Sequence, residues 1–415
     1  MIDSCSQESN PLLSLEQALE KIRRAINPVA GSEKVILKNA LGRILSQSIY
    51  SPVNIPPDRN AAMDGYAFSS ADIDRDQPFT LGLAGTSWAG KPFPGQLQPG
   101  QCVRIFTGAV IPDQADSVIM QEQVEANEQT IHFPANTPAG QNIRAAGEDV
   151  KQGGLVCAHP KIITAGDLGL LASAGIYDIP VKRQLKIAFF STGDELTPIG
   201  QALESGKIYD SNRYSLSGLL ADPNYNATDL GVIGDNKQLL ENKLIEASRN
   251  YDVIITTGGA SVGEADYIKE ILERCGQVNF WKVAIKPGKP LAFGKIGSCC
   301  FFGLPGNPVA VITTFQQMVA PALKQLCGAP ASKPLRLTAT CTTTLKKATG
   351  RQEFQRGILT QTDNGEFFAA SSGKQGSHIL SSISRANCYI VLPAECSGVQ
   401  AGETVSVEPF SVFII

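Results

Sequence analysis

Between residues 185 and 327, short apolar runs alternate with amphipathic stretches of helical length, and no other feature restricts the fold as much. The pattern predicts strands over 185–190, 228–233, 252–256 and 299–302, and helices over 212–220, 237–248, 264–275 and 308–326. Strands separated by helices of this length run parallel, so the segment is expected to be a three-layer α/β domain with a mostly parallel sheet. Ligands of such sheets lie beyond the carboxyl ends of the strands. The polar turns fall there: Thr192-Gly193-Asp194-Glu195 after the first strand, Asp235 after the second, Thr256–Asp266 after the third and Gly303–Asn307 after the last. Asn307-Pro308 reads as an N-cap followed by a proline in the first helical position.

The third turn, Thr256-Thr257-Gly258-Gly259-Ala260-Ser261-Val262-Gly263-Glu264-Ala265-Asp266, joins a buried-type strand to a helix N-terminus. A glycine-rich loop in that place offers backbone N–H groups to a phosphate or another oxyanion, although the same glycines would also serve a tight turn. Glu195, Asp235 and Asp266 each stand at a strand-to-helix transition. Carboxylates there either hold a divalent ion against phosphates, accept hydrogen bonds from a polar ring system, or cap the local helix. Three of them beside anion-binding loops favour a functional role. Lys282 precedes Lys286-Pro287-Gly288-Lys289-Pro290, in which two prolines and a glycine set paired lysines on a rigid turn. Such a turn suits a tetrahedral oxyanion, the alternative being a solvated loop. Arg351, Arg356, Ser377 and Ser381 are further candidates for anion contact.

A chain of 415 residues exceeds one core. Residues 14–26 predict a helix capped by Ser14 with Gln17 three residues on, 38–49 a second, and 165–174 a third closed by Gly175. Short apolar runs broken by Pro and Gly from 51 to 146 predict a small, barrel-like β domain, and the sequence permits 147–180 to pack with 1–50 as one linker domain, which would make 51–146 an insertion. The α/β domain is expected over 181–330, and alternating stretches at 335–343, 390–392 and 404–407 predict a C-terminal β-barrel over 331–415.

Net charge of -3 with a pI near 5.8 leaves no basic footprint for nucleic acid. Ten cysteines without a C-x-x-C pair predict buried thiols and a reducing, cytoplasmic compartment. The polar N-terminus has no signal-peptide core, and no apolar run is long enough to span a membrane. His132, His159 and His378 lack zinc-site spacing, and neither a G-x-S-x-G elbow nor a G-x-x-x-x-G-K-[ST] loop occurs.

In the first half, Asn60–Ala67 presents Asp64 in a constrained turn, and Arg104–Gly108 and Asn142–Asp149 are comparable polar–glycine segments. Alone, each reads as a turn or a domain contact. Taken in order, residues 54–70, 104–120, 140–153, 191–195, 209–212, 256–266, 286–290 and 303–309 resemble the molybdopterin molybdenumtransferase family, the group that includes the gephyrin E domain. The resemblance spans nearly the whole chain. It implies a multidomain α/β subunit: the three-layer domain, two small mainly-β domains and an elongated α/β linker domain that takes part in dimerisation. It also implies insertion of molybdate into adenylylated molybdopterin with release of AMP, dependence on Mg2+, and a homodimer whose cleft is shared between subunits. Transient contacts with molybdopterin-synthesis enzymes or molybdoenzyme maturation factors follow, with no nucleic acid and no membrane.

Carried over by resemblance, Asp64 and Thr107 face the cleft from the partner side, while Glu195, Asp235 and Asp266 line its molybdopterin and nucleotide side. Magnesium lies near Glu195 and Asp235, and Thr257, Gly258, Gly259, Ser261 and Pro305 belong to the substrate-binding loops. Lys286, Lys289, Arg356, Ser377 and Ser381 match positions that hold molybdate, Lys282 orients the substrate, and Arg144 and Asp149 match a motif near the interdomain joint. Ala260, the 109–114 segment and Cys388 depart from the family pattern without removing a charged site residue. The nearest rival, the single-domain molybdopterin adenylyltransferase, shares the Thr-Gly-Gly loop but not the residues before the α/β domain or the Lys286–Pro290 turn. A noncatalytic scaffold would call for extra linker or partner domains.

Overall fold

The computed structural model describes residues 12–71, 73–234, 236–258, 270–271, 274 and 276–410. The chain divides into two compact units: one takes Lys34–Leu41 and Leu45–Pro180, the other the segment up to Glu33, Gly42–Ile44 and everything from Val181.

The first unit is built on a six-stranded sheet in the order Ser117–Met120, Gly65–Phe68, Gln101–Ile105, Phe79–Ser87, Thr130–Phe133, Glu125–Ala126. Phe68, Phe79 and Phe133 pack their rings together on one side of it, with centroids 4.7–5.9 Å apart. The pairing does not close among the described residues, so this sheet is open where a barrel was expected. The helix Ala165–Ser173 begins with Thr164 and Asp167 exchanging side-chain and backbone hydrogen bonds. Lys161 Nζ, 2.6 Å from the buried Asp167, completes the pairing of that carboxylate.

In the second unit, Ser14 and Gln17 cap the helix Leu15–Ala25 reciprocally, and Leu15, Ala18 and Ile22 form its buried stripe. The helix expected over 38–49 is absent, with only a 3-10 turn at Leu37–Asn39 (in the first unit). Gly42 ends any continuation: its φ is +75°, and a Cβ there would lie 2.8 Å from Pro223.

The main sheet runs Tyr225–Ile233, Leu185–Thr192, Val253–Thr257, Cys299–Leu304, Pro290–Ile296, Gln277–Lys282. The first four strands are parallel and the last two antiparallel. Leu185, Ile187 and Phe189 join one core with Leu216, Val309 and Ile312 of the helices Asn212–Leu219 and Pro308–Thr314. The alternate residues Ala188 and Phe190 join another with Leu240 and Leu244 of the helix Lys237–Asn250. Period-two burial of a strand between two helical faces explains its near-continuous apolar sequence. The helix expected over 264–275 lies largely outside the described residues. The one expected over 308–326 is interrupted by a wide π segment at Phe315–Val319 before Ala320–Leu326. Pro321 explains it, because a proline within a helix has no N–H to return to the preceding turn.

The C-terminal strands close. Gln352–Gln361 pairs with both Phe367–Ser371 and Cys388–Leu392, and Thr404–Pro409 and Leu337–Cys341 complete a five-membered ring. The two-residue strand Ile285–Lys286 adds to this ring in parallel, opposite Gln352 and Glu353. Of the described cysteines only Cys396 is not buried, and burial pushes the Cys102, Cys327 and Cys388 thiols up to about 12. No helix among the described residues is long and apolar enough to cross a membrane.

Candidate functional site

The turn bearing the paired lysines is fixed from three sides. Val283 N–H donates to the Lys289 carbonyl at 2.7 Å, Gln352 N–H donates to the Ala284 carbonyl at 2.9 Å, and Gly288 rests on Thr314. Gly288 has φ +111°, and a Cβ there would fall 2.3 Å from Thr314 Oγ1, so only glycine fits. Above the turn opens a cleft of about 390 Å³ lined by Lys286, Lys289, Pro305, Asn307, Arg351, Gln375 and Ser377, among others. Among the described residues three cationic ones and no carboxylate line it. Preorganised positive charge in a walled cleft suits a compact anion of high charge.

Lys286, Lys289, Pro305 and Ser377 therefore meet in one cleft. Arg356 does not join them: it is 1% exposed, on the strand face it shares with Tyr389, donating to Ser382 Oγ and the Gly376 carbonyl, both at 3.1 Å. Desolvation pulls its pKa below the ordinary arginine value. It holds the 376–382 segment by these two bonds, while Arg351 is the arginine on the cleft wall. Ser381 and Lys282 are exposed and are not among the cleft residues. Asn307 occupies the N-cap position, yet its side chain makes no capping bond and lines the cleft instead.

At the strand ends, the Ser191 and Thr257 hydroxyls share a hydrogen bond of 2.9 Å, and Ser191 Oγ donates to Asp210 Oδ1 at 3.1 Å. Asp210, 2% exposed, also accepts from Arg213 N–H and Nε, and Arg213 reaches on to Asp229 at 2.7 Å. Gly258, at φ +82°, lies so close to Thr192 that a Cβ would stand 2.4 Å from its carbonyl oxygen. The exposed Glu195 carboxylate folds over Gly193. Its hard oxygens are the donor type that magnesium takes. Asn212 Nδ2 donates to the Gly306 carbonyl at 2.7 Å and so ties the strand-end cluster to the cleft loop. Asp235, Gly259, Ser261 and Asp266 lie outside the described residues. Asp210, Asn212 and Arg213 were not singled out individually from the sequence, because polar residues at the start of a helix carry no signal of their own.

In the other unit, Asp64 Oδ1 accepts both the backbone N–H and the hydroxyl of Thr107, at 2.8 and 2.7 Å. These two bonds hold the Asp64 carboxyl below its usual range. Antiparallel pairing of Gly65 with Ile105 brings the two loops together. Arg104 donates to the Gly65 carbonyl and lies over the Tyr66 and Phe106 rings. Arg144 pairs with Asn60 on a short two-stranded ladder, and Asp149 N–H donates to the Ile55 carbonyl.

A largely parallel sheet with polar strand-end turns, meeting a closed β ring at a cationic cleft, defines the class of α/β proteins that seat an anionic small molecule. Three family descriptions match in order: the MoeA N-terminal region (domain I and II) over 13–175, the probable molybdopterin binding domain over 188–325, and the MoeA C-terminal region (domain IV) over 338–410. The molybdopterin molybdenumtransferase of Haemophilus influenzae is 46% identical across 96% of this chain and 99% of its own length. Gephyrin of Dictyostelium discoideum is 33% identical across 90% of this chain and 58% of that protein. The crystal structure of the molybdopterin biosynthesis moeA protein from Pyrococcus horikoshii superposes with a TM-score of 0.83 at 30% identity, covering 96% of this chain and all of the other. The chain belongs to the molybdopterin molybdenumtransferase family.

Proposed function

We propose that this chain inserts molybdate into adenylylated molybdopterin, releasing AMP and the molybdenum cofactor. The observation that carries the reading beyond family membership is the cleft with Lys286, Lys289 and Arg351 on its wall and no carboxylate among its described lining residues. Two anionic reactants must meet in one place, and fixed cations offset their mutual repulsion. Molybdate is proposed to sit with Lys286, Lys289, Arg351 and Ser377, and Arg356 supports that wall through its hydrogen bond to the Gly376 carbonyl. The molybdopterin nucleotide is proposed to lie along the strand ends at Thr257, Gly258 and Glu195, toward Asp235 and Asp266. Glu195 with Asp235 would hold magnesium, which when bound supplies charge neutralisation at the phosphates. Positioning and charge compensation then carry the reaction without a protein nucleophile.

On the same reading the subunit has four domains (1–50 with 147–180, 51–146, 181–330, 331–415), works as a homodimer and resides in the cytoplasm. The two core clusters flanking the main sheet support a three-layer α/β domain. Asp64 and Thr107 are proposed to face the partner subunit's cleft. The deciding assay supplies adenylylated molybdopterin and molybdate: molybdate-stimulated AMP release with formation of active cofactor is expected. ATP-dependent adenylylation of free molybdopterin, with no such release, would overturn the reading. Mixing Asp64→Ala subunits with Lys286→Met subunits is expected to restore up to about a quarter of the dimer's activity, because a mixed dimer keeps one intact cleft. No recovery despite proven subunit exchange would refute the shared cleft.

A further inference from the structure

Behind the cleft wall stands a carboxylate that the reaction as described does not use. Glu353 has a side chain only 5% exposed, and its Oε1 lies 3.0 Å from Lys286 Nζ. Its other oxygen accepts from Gln355 Nε2 at 3.0 Å, and Gln355 is anchored in turn to the Lys346 carbonyl at 3.0 Å. The Glu353 backbone pairs with Lys286 on one side and Leu392 on the other. The carboxylate is thus set by the ring itself. Lys286, by contrast, has a 45% exposed side chain ending at the cleft.

We infer that Glu353 is a positioning residue for the anion: it pins the Lys286 ammonium at the cleft wall and sets the charge that the site presents. A lysine arm that must be held still for each binding event loses rotamer freedom each time, whereas a buried partner holds it in place beforehand. The cations of this wall outnumber the one carboxylate behind it among the described residues, which suits a tetrahedral dianion. An ion pair whose carboxylate is buried is by itself weak evidence for a stabilising role, so a function through the half-exposed Lys286 is the stronger account of a carboxylate placed here.

The inference rests on the cleft being the seat of molybdate. Its test is a double-mutant cycle on the full chain, read as the affinity for inorganic molybdate by titration calorimetry at fixed ionic strength. E353Q is expected to weaken molybdate binding about tenfold in the otherwise unaltered protein and to cause no further loss in a K286M background. E353D keeps the charge on a shorter arm and is expected to stay within about threefold of the unaltered chain. Equal losses from E353Q in both backgrounds would overturn the inference, as would an E353D loss as large as that of E353Q, since either outcome assigns the effect to packing. Absence of molybdate binding in the unaltered protein would instead remove the substrate reading and this role with it.

Discussion

Replacing Lys286 and Lys289 together by methionine is expected to lower the rate of molybdate-dependent AMP release, at molybdate well below saturation, by about a thousandfold. Both ammonium groups line the same cleft from a turn locked by Gly288 and by the Val283–Lys289 hydrogen bond. One preorganised group facing developing charge is commonly worth about 10²–10³ in rate, and neighbouring groups add less than independently. About a thousandfold is therefore the combined expectation, not the product. The double variant also strands Glu353, a buried carboxylate whose loss of a partner is costly to the fold. A triple variant carrying E353Q separates the two effects: thermal stability should recover while activity stays low. Activity within tenfold of the unaltered protein would mean that the anion sits elsewhere.

Gly258→Ala is expected to cost about 3 kcal/mol of stability and to abolish binding of the molybdopterin nucleotide. The left-handed backbone at φ +82° accounts for about 1 kcal/mol of this. The larger part is steric. A methyl group would stand 2.4 Å from the Thr192 carbonyl oxygen, so one of two parallel strand ends has to move. Those ends carry the Ser191–Thr257–Asp210 network, and displacement would undo it. Gly306→Ala is the control, because nothing lies within 4 Å of a Cβ there, and its stability should change by less than about 0.5 kcal/mol. Urea unfolding midpoints and titration with AMP measure both effects. A G258A protein as stable as G306A would show that the loop relaxes without strain.

The four parallel strands and the lysine turn were legible because their signals are local. An apolar run between helical stretches and a Pro-Gly-Pro frame around two lysines both lie within a few residues. The antiparallel strands Gln277–Lys282 and Pro290–Ile296 were missed, since Gly294 and Lys295 interrupt the apolar pattern and only pairing in space makes them members of the sheet. The choice between Arg351 and Arg356 was equally hidden. Residues 353–357 are all buried, so no alternation reveals that Arg356 faces the interior while Arg351, just before the strand, reaches the cleft. Asn307 was read correctly as the start of a helix, but its chemistry depends on Ser377 and Lys286, distant in sequence. The open sheet between 65 and 133 was misjudged as a barrel because ring closure is a property of pairing order, which short Pro- and Gly-broken runs do not encode.

The parallel pairing of Ile285–Lys286 with Gln352–Glu353 has a mechanical consequence. By covalent connection this segment belongs between the last two strands of the main sheet, yet by hydrogen bonding it belongs to the C-terminal ring. It is a stitch through both. The ring cannot swing away from the sheet without either tearing this pairing or dragging the two lysines along, so the shape of the lysine cleft and the seam between sheet and ring rise and fall together. Amide exchange at Gln352, whose N–H bonds to the Ala284 carbonyl, would report both at once.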